Sequence, residues 1–254
     1  RDRVLNEMIE TGPQGFEKMT QLRTPAGVGN DTAVRFALNS LARYASEFGK
    51  EDARQLVENG LLAALAAQTD TEVRTFLLNQ LNLVGGDKSV NAIKKYLTNE
   101  ELTEPVVQTL VAIGSESAAV ALFENFSKVN DEGKITLTKA LGELRCEQAL
   151  RSITFVAESE NPNLRNMALG ALANIGNPES YKLLLKAAQD ANFNYEPTHA
   201  AEAFLIYSDR LAERGETKLS QKALKTLMKA NQADDKLHNY SAALSVYAKH
   251  FGYE

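Results

Sequence analysis

The single cysteine of the chain stands where a reactive thiol could form. Cys146 directly follows Arg145 and occupies the position at which a predicted helix begins. A helix N-terminus and a neighbouring arginine both favour the thiolate, so this position predicts a lowered thiol pKa. No histidine lies near Cys146 in the sequence, so no nucleophilic pair is assigned. A turn residue that faces solvent and has no chemical role is the commoner explanation of such a position.

The three histidines offer at most part of a metal site. His199, His238 and His250 all lie in the last quarter of the chain. His199 and Glu202 are spaced i, i+3 on one predicted helix, which supplies two ligands and leaves a zinc site incomplete. A third ligand would have to come from a distant helix, so no metal is assigned. A capping or partly exposed histidine is the commoner explanation of His199.

Sequence motifs of known enzymes are absent. The chain holds no phosphate-binding loop, dinucleotide fingerprint, nucleophile elbow or His-Glu-x-x-His helix. Gly27 and Gly29 lie in a predicted loop before a helix that begins near Asn30, and their backbone amides could hold an anion. A plain connection between helices is the commoner explanation, because the third fingerprint glycine and a preceding strand are missing. The sequence therefore predicts no catalytic residue and no cofactor.

Composition narrows the class of protein. The 254 residues are 44% apolar and 24% charged, with a net charge of −5, one cysteine and no tryptophan. One cysteine excludes a disulfide within the chain and a multi-thiolate zinc site. No run approaches the roughly 18 apolar residues that a membrane span requires. The net negative charge argues against a nucleic-acid partner, because proteins that bind the phosphate backbone carry a basic surface.

The elements that carry these residues repeat about every thirty residues. The repeat is anchored at Gly85, Gly114, Arg145 and Gly176, at intervals of 29, 31 and 31 residues. Four further columns align without gaps: eight residues earlier Leu77, Val106, Leu137 and Ala168; four earlier Leu81, Leu110, Leu141 and Leu172; four later Ser89, Ala118, Ala149 and Ser180; eight later Ile93, Leu122, Ile153 and Leu184.

Each repeat predicts two helices joined at the anchor position. Apolar residues before and after each anchor recur with the helical period, and no segment alternates with the period of a strand. The anchor glycines suit a left-handed residue that ends the first helix, and Arg145 in that conformation would cost about 1 kcal/mol. Asp70, Asp131, Asn161 and Asn177 are predicted helix caps, the last two followed by proline.

The repeat extends more loosely to both ends of the chain. Gly12, Gly49 and Gly215 take the anchor role at longer spacings, and a last helix is predicted from about 235 to 251. Because one helix pair cannot bury its own apolar stripe, neighbouring pairs must stack. We therefore predict an all-α fold, a right-handed α-α superhelix of about seven helix pairs and a final helix. It forms one domain over 1–254, with irregular units at 1–69, regular units at 70–190 and longer, aromatic-rich units at 191–254.

This pattern resembles the HEAT-like, armadillo-type repeat family, including the short bacterial units first named for phycobilisome lyases. The resemblance is carried by Leu-x-x-Ile-Gly followed by Pro-Glu-Ser-Tyr at 172–181, and the four central units show it best. Arg145 departs from the glycine column. The resemblance implies a fold in which the second helix of each pair lines a concave binding face.

A second resemblance lies near the N-terminus. The segment Thr24-Pro-Ala-Gly-Val-Gly-Asn-Asp-Thr32, with Phe36-Ala-Leu38, Tyr44 and Gly49-Lys50-Glu51, is similar to the helical region of secreted Bacteroidetes proteins. In those proteins helical repeats precede a concanavalin-like 3-keto-disaccharide hydrolase domain. The resemblance implies a secreted or periplasmic location and a catalytic module, if any, beyond Glu254. Because the numbering starts at Arg1 without a methionine, we expect a piece of a longer chain.

Two surfaces are candidate binding sites. The predicted second helices carry a net charge of +5 in a chain of net charge −5, which suits an acidic partner. A solvated face with helix-favouring lysines is the commoner explanation of this asymmetry. The contributors expected to face solvent are Lys94, Lys95, Arg151, Lys182, Lys186, Lys222 and Lys225.

The second candidate surface is the aromatic-rich C-terminal quarter. Its residues Tyr240, Tyr247, Phe251 and Tyr253 could anchor an adjacent domain. A thicker core at this end is the commoner explanation. The sequence thus favours a non-catalytic interaction scaffold whose partner is a protein or a neighbouring domain of the same chain. The rivals are a nucleic-acid-binding protein, as in the HEAT-like DNA glycosylases, and an enzyme that uses Cys146 or His199.

Overall fold

A computed structural model describes residues 2–24, 28–194, 196–233 and 236–252, and in these ranges it contains α-helices, 3₁₀ turns and no strand. Short 3₁₀ turns continue or precede several helices at Lys94–Tyr96, Phe126–Lys128, Glu147–Ala149 and Pro178–Ser180. The helices are α1 Asp2–Glu10, α2 Gly12–Gln21, α3 Thr32–Ala45, α4 Glu51–Ala67, α5 Thr71–Val84, α6 Asp87–Ile93, α7 Thr103–Ile113, α8 Glu116–Asn125, α9 Asp131–Glu143, α10 Leu150–Val156, α11 Pro162–Ile175, α12 Tyr181–Asp190, α13 Ala200–Glu213, α14 Thr217–Ala230 and α15 Leu237–Phe251.

The helices follow one another as pairs, from α1 with α2 to α13 with α14, and α15 stands last. Over the described ranges this gives seven pairs and a final helix, which confirms the predicted α-solenoid class. The chain divides into two compact units, Arg1–Gly133 and Lys134–Glu254. Whether they act as one domain over 1–254 stays a prediction.

The four repeat columns form the core. Of the sixteen aligned side chains, fifteen are 0% exposed and Ser180 is 4% exposed. The large members fill the interior, and the small column of Ser89, Ala118, Ala149 and Ser180 lets the helices of a pair approach closely. The periodicity of the sequence thus identified interior positions correctly in each regular unit.

At three of the four anchor positions the residue adopts a left-handed backbone conformation. Gly114 and Gly176 both have a φ of 67°, and Arg145 takes the same region with a φ of 51°. At Gly176 a Cβ would also lie only 2.6 Å from the Arg210 Cβ, so two constraints select glycine there. Arg145 meets the first constraint at a cost of about 1 kcal/mol.

Gly85 departs from the prediction, since its φ of −62° and ψ of 150° are extended. The reason is a contact from α4: the Arg54 guanidinium donates to the carbonyl oxygens of Val84 and Gly85 at 2.9 and 3.0 Å. These bonds satisfy the helix end without a left-handed residue. One turn further along α4, Glu58 accepts from the amides of Gly86 and Ser89 and caps the start of α6.

The predicted caps are confirmed at Asp70, Asn161 and Asn177, whose side chains accept backbone N–H groups of the first turn. The expectation for Asp131 is off by one residue. It is the first residue of α9, and the amide of Gly133 donates to Asn130 Oδ1 at 2.9 Å. Asn130 is therefore the cap, with the acidic Asp131 in the first turn, where the helix dipole favours negative charge.

A network of ion pairs connects the loop before α3 with α5 in unit 1. The Arg23 side chain is 0% exposed and donates to Asp31 at 2.6 Å and to Glu72 at 3.1 Å. Arg35 binds the same two carboxylates, and the ring of Phe76 lies 4.2 Å from the Arg23 guanidinium carbon. The hydrogen bond from Arg35 holds the pKa of the Asp31 carboxyl below its ordinary value. The network therefore ties the loop before α3 to α5.

The first prediction concerns the close approach of α9 and α11. A Cβ on Gly142 would lie 2.5 Å from the Ala171 Cα, whereas a Cβ on Gly170 would meet nothing within 4 Å. We expect Gly142→Ala to lower the free energy of unfolding by about 2 kcal/mol through overpacking. Gly170→Ala, the matched control in a neighbouring helix, should raise it by about 0.5–1 kcal/mol. Urea unfolding followed by circular dichroism measures both, and a neutral Gly142→Ala would contradict the packing.

The second prediction concerns acid stability. Because folding lowers the pKa of Asp31, its charge stabilises the native state above the ordinary carboxyl pKa, and this contribution is lost as the pH falls through the lowered value. Asp31→Asn should therefore be less stable than the wild type at neutral pH, and the difference should shrink below about pH 4. Urea unfolding at both pH values tests this. Glu47→Gln, an exposed change outside the network, is the control, and a gap that is independent of pH would contradict the assignment.

Candidate functional site

A row of lysines runs along the exposed side of α14 in unit 2. Lys218, Lys222, Lys225 and Lys229 are spaced i, i+4, i+7 and i+11, and all four are exposed. This spacing keeps them on one face over about 16 Å of helix. The opposite face packs inward through Ser220, Ala223, Leu224 and Leu227. These four residues are called the α14 lysine row below.

Two tyrosines flank the α14 lysine row. The Lys222 Nζ lies 5.3 Å from the ring centre of Tyr181, the first residue of α12. The Lys225 Nζ lies 5.8 Å from the ring centre of Tyr247 on α15. Ring faces are negative, so these contacts orient the ammonium groups without neutralising them. The structure thereby brings a basic side chain and an aromatic side chain from the two predicted surfaces together at Lys225 and Tyr247.

Two acidic side chains of the neighbouring helix α13 form ion pairs with residues outside the row. Asp209 on α13 accepts from Lys249 at 2.9 Å and from His250 at 2.5 Å. Burial raises the pKa of the Asp209 carboxyl, but these hydrogen bonds outweigh it and hold that pKa below its ordinary value. Glu213 pairs with Arg210 and Arg145. Across the described ranges, none of the four row lysines forms an ion pair.

The other predicted basic residues are spread over separate places. In unit 2, Arg151, Lys182 and Lys186 are exposed, and Lys186 borders a cavity rather than the row. In unit 1, Lys95 is exposed, with its Nζ 4.9 Å from the Tyr96 ring centre. Lys94 is half-buried.

The surroundings of Lys94 are acidic. It lies in a groove of about 490 Å³ between α6 and α8, together with the carboxylates Asp87, Glu116 and Glu124. Three carboxylates around one ammonium give this groove a negative local balance. The net positive charge counted over the second helices is therefore concentrated on α14 and does not extend to the α6–α8 groove.

The aromatic residues of the C-terminal quarter serve two purposes. Phe204 and Tyr207 are 0% exposed and pack with Tyr181 at ring distances of 5.9 and 6.5 Å, so they thicken the core. The predicted interface residues Tyr240, Tyr247 and Phe251 are half-buried on α15, and the rings of the last two meet at 5.2 Å. Tyr253, the fourth, lies outside the described residues.

Cys146 lies at the predicted start of a helical segment, but the exposure and the pKa of its thiol differ from the prediction. It precedes the 3₁₀ turn that opens the second helix of its pair, but its side chain is only 6% exposed. Burial raises the pKa of the thiol and outweighs the nearby amides of Ala149 and Gln148. Both the lowered pKa and the alternative of a solvent-facing residue are therefore wrong. A buried, protonated thiol is a poor nucleophile.

The histidines lie apart from one another in their contacts. His199 precedes α13 with a φ of 54°, and its Nδ1 lies 3.0 Å from Glu202 Oε2. His250 binds Asp209, and His238 is exposed on α15. Within the described part of the chain, no group of three metal-ligating side chains comes together. Of the glycine pair in the loop before α3, Gly29 has a φ of 78°, whereas Gly27 is outside the described residues.

Sequence reasoning singled out Lys222 and Lys225 and missed Lys218 and Lys229. The signal that finds them is the i, i+4, i+7, i+11 spacing, which places all four on one helical face. A net charge summed over a whole helix hides this arrangement.

No helix in the described ranges is long and apolar enough to cross a membrane.

Comparison with known proteins supports the repeat architecture. Residues 121–204 match the sequence profile of a family described as HEAT repeats, and this part of the chain is a helical-repeat scaffold of the kind used in protein interactions. A solved structure described as the complex of CpcE and CpcF of phycocyanin lyase from Nostoc sp. PCC7120 is similar at 18% identity and a TM-score of 0.48. The alignment covers 92% of this chain and 94% of that one. No curated protein matches the chain significantly.

The third prediction concerns the thiol. Because Cys146 is buried and its pKa is raised, native protein should react with iodoacetamide at neutral pH at least about tenfold more slowly than urea-unfolded protein. Mass spectrometry of the alkylated fraction over time measures both rates. Native modification as fast as that of the unfolded chain would show an accessible, activated thiol and would revive the enzyme hypothesis.

Proposed function

We propose that this chain is a non-catalytic interaction scaffold that binds an acidic segment of a partner protein along the α14 lysine row. The observation that carries the proposal is the row itself: four exposed lysines on one face, without an ion pair to any residue that the structure describes. A solvated helix of a repeat protein needs no such alignment for its stability. The proposal thus concerns unit 2, where the row and its flanking tyrosines lie.

The geometry suits an acidic helix. Four carboxylates with the same i, i+4, i+7, i+11 spacing can face the four ammonium groups over about 16 Å. Each exposed charge pair contributes only about 0.2–1 kcal/mol, so the row supplies steering and register more than tight affinity. Tyr181 and Tyr247 border the row and provide apolar contact area beside the charges.

The wider context is also part of the proposal. The resemblance of the Thr24–Thr32 segment to secreted Bacteroidetes proteins suggests an accessory module of a larger, exported, carbohydrate-related protein. The acidic segment would then belong to a neighbouring domain of the same polypeptide or to a separate protein outside the cytoplasm.

The fourth prediction tests binding with a synthetic probe. A fluorescently labelled helical peptide with glutamates at i, i+4, i+7 and i+11 should bind the protein, and added salt should weaken the binding. Lys222→Glu combined with Lys225→Glu should weaken it by about tenfold or more, because two attractions become repulsions. Fluorescence anisotropy measures the dissociation constants.

Two controls make the test specific. Lys128→Glu with Lys139→Glu changes the net charge equally at exposed positions that are not part of the row and should have less than about a twofold effect. A peptide of the same composition with the glutamates distributed around the helix should bind more weakly. Equal losses in both double variants, or no binding by the wild type, would contradict the proposal. Salt-dependent binding of a DNA duplex in preference to the peptide would support the nucleic-acid rival instead.

A further inference from the structure

Unit 2 contains a cavity whose lining includes none of the α14 lysine row. It has a volume of about 430 Å³, lies beside α11 and α12, and is also lined by Glu196, Thr198 and Ala200 near the start of α13. This volume is within the range of small-molecule sites. Its floor is made by short or branched apolar side chains, Leu169, Leu183, Ala187, Ala191 and Ala200.

The rim of this cavity carries charges of both signs. Arg165 and Lys186 contribute two cations, and Glu158, Asp190 and Glu196 contribute three carboxylates. Lys186 and Asp190 are spaced i, i+4 on α12, a spacing that allows an ion pair, yet none forms. In the part of the chain that the structure describes, Arg165, Lys186, Glu158 and Asp190 have no ion-pair partner, although Arg165 Nη1 donates to the Ser159 carbonyl oxygen at 2.7 Å. The rim therefore presents unpaired cations and unpaired carboxylates around one apolar floor.

A buried acceptor completes the lining. Asn166 Oδ1 is enclosed and accepts no hydrogen bond, while Asn166 Nδ2 donates to the Pro197 carbonyl oxygen at 3.5 Å. A buried polar atom without a partner is unfavourable, so an N–H group of a ligand at this place would be stabilised. A ligand could therefore donate a hydrogen bond to Asn166 Oδ1 and present an acceptor to Arg165 and Lys186.

Two further lining residues precede α13. Glu196 accepts hydrogen bonds from the amide and the hydroxyl of Thr198, and both residues line the cavity. These bonds hold the Glu196 carboxylate in place beside the cavity.

We infer that this cavity binds a small zwitterion with an apolar body, in the size range of a dipeptide. Its ammonium group would face the carboxylates and Asn166 Oδ1, its carboxylate would face Arg165 and Lys186, and its apolar side chains would cover the floor. The inference goes beyond the proposed scaffold function, because it assigns a second, separate site for a small molecule.

The fifth prediction uses the dipeptide leucyl-leucine as the probe, measured by isothermal titration calorimetry on the full chain. Lys186→Met combined with Asp190→Asn should weaken binding by about tenfold or more, because each change removes a charged contact. The matched control is Lys182→Met with Glu179→Gln, an exposed pair on the preceding turns that does not line the cavity. It should change the affinity by less than about twofold. Both double variants preserve net charge and leave the α14 lysine row intact.

The ends of the probe provide the decisive comparison. Acetylation of its amino group or amidation of its carboxyl group should each weaken binding by about tenfold. Absence of leucyl-leucine binding at millimolar concentration would overturn the inference, as would equal losses in the two double variants or equal affinity for the doubly capped peptide. None of these outcomes depends on binding of the acidic helix, so failure of this inference and failure of the scaffold proposal are distinguishable.

Discussion

The fold depends on the sharing of apolar faces between successive helix pairs. The pair α11 and α12 has buried residues on both helices, and α13 of the next pair packs against both of them. The equivalent positions Ile93, Leu122, Ile153 and Leu184 are all fully buried. Each contributes about 1.5–3 kcal/mol through burial, a contribution that exists only in the stack. Within each unit, neighbouring helix pairs therefore stabilise one another.

This constraint explains which features could be predicted from sequence. The buried columns and the caps at Asn161 and Asn177 depend on residues within one turn or one repeat, and local spacing reveals them. Gly85 and Cys146 were predicted wrongly because distant contacts decide their state. Arg54 reaches Gly85 from thirty-one residues away, and neighbouring elements remove Cys146 from water. A repeat pattern aligns such positions with their equivalents and cannot show which one has acquired a different partner.

The basic residues of the proposed binding surface could be predicted from the sequence, but the extent of the surface could not. Four lysines on one face of α14 are evident from spacing alone. Whether their charge is free depends on where the acidic residues of other helices point, which the chain order does not reveal. Asp209 is occupied by Lys249 and His250, whereas Lys94 lies among carboxylates on α6 and α8. A charge summed over the sequence does not distinguish the exposed lysines of α14 from Lys94, which lies among carboxylates, whereas the structure does.

The contrast between two kinds of charge gives the strongest argument for function. Arg23 is fully buried, and both carboxylates that it binds are also held by Arg35, so that network contributes to the fold. The α14 lysines make no comparable contacts within the described chain, and removing their charge would leave the packed face of the helix unchanged. In the proposed function, these lysines, which are aligned on one face and bordered by tyrosines, act on a partner outside the chain. Binding and stability should therefore be separable in this protein, because they reside in different residues.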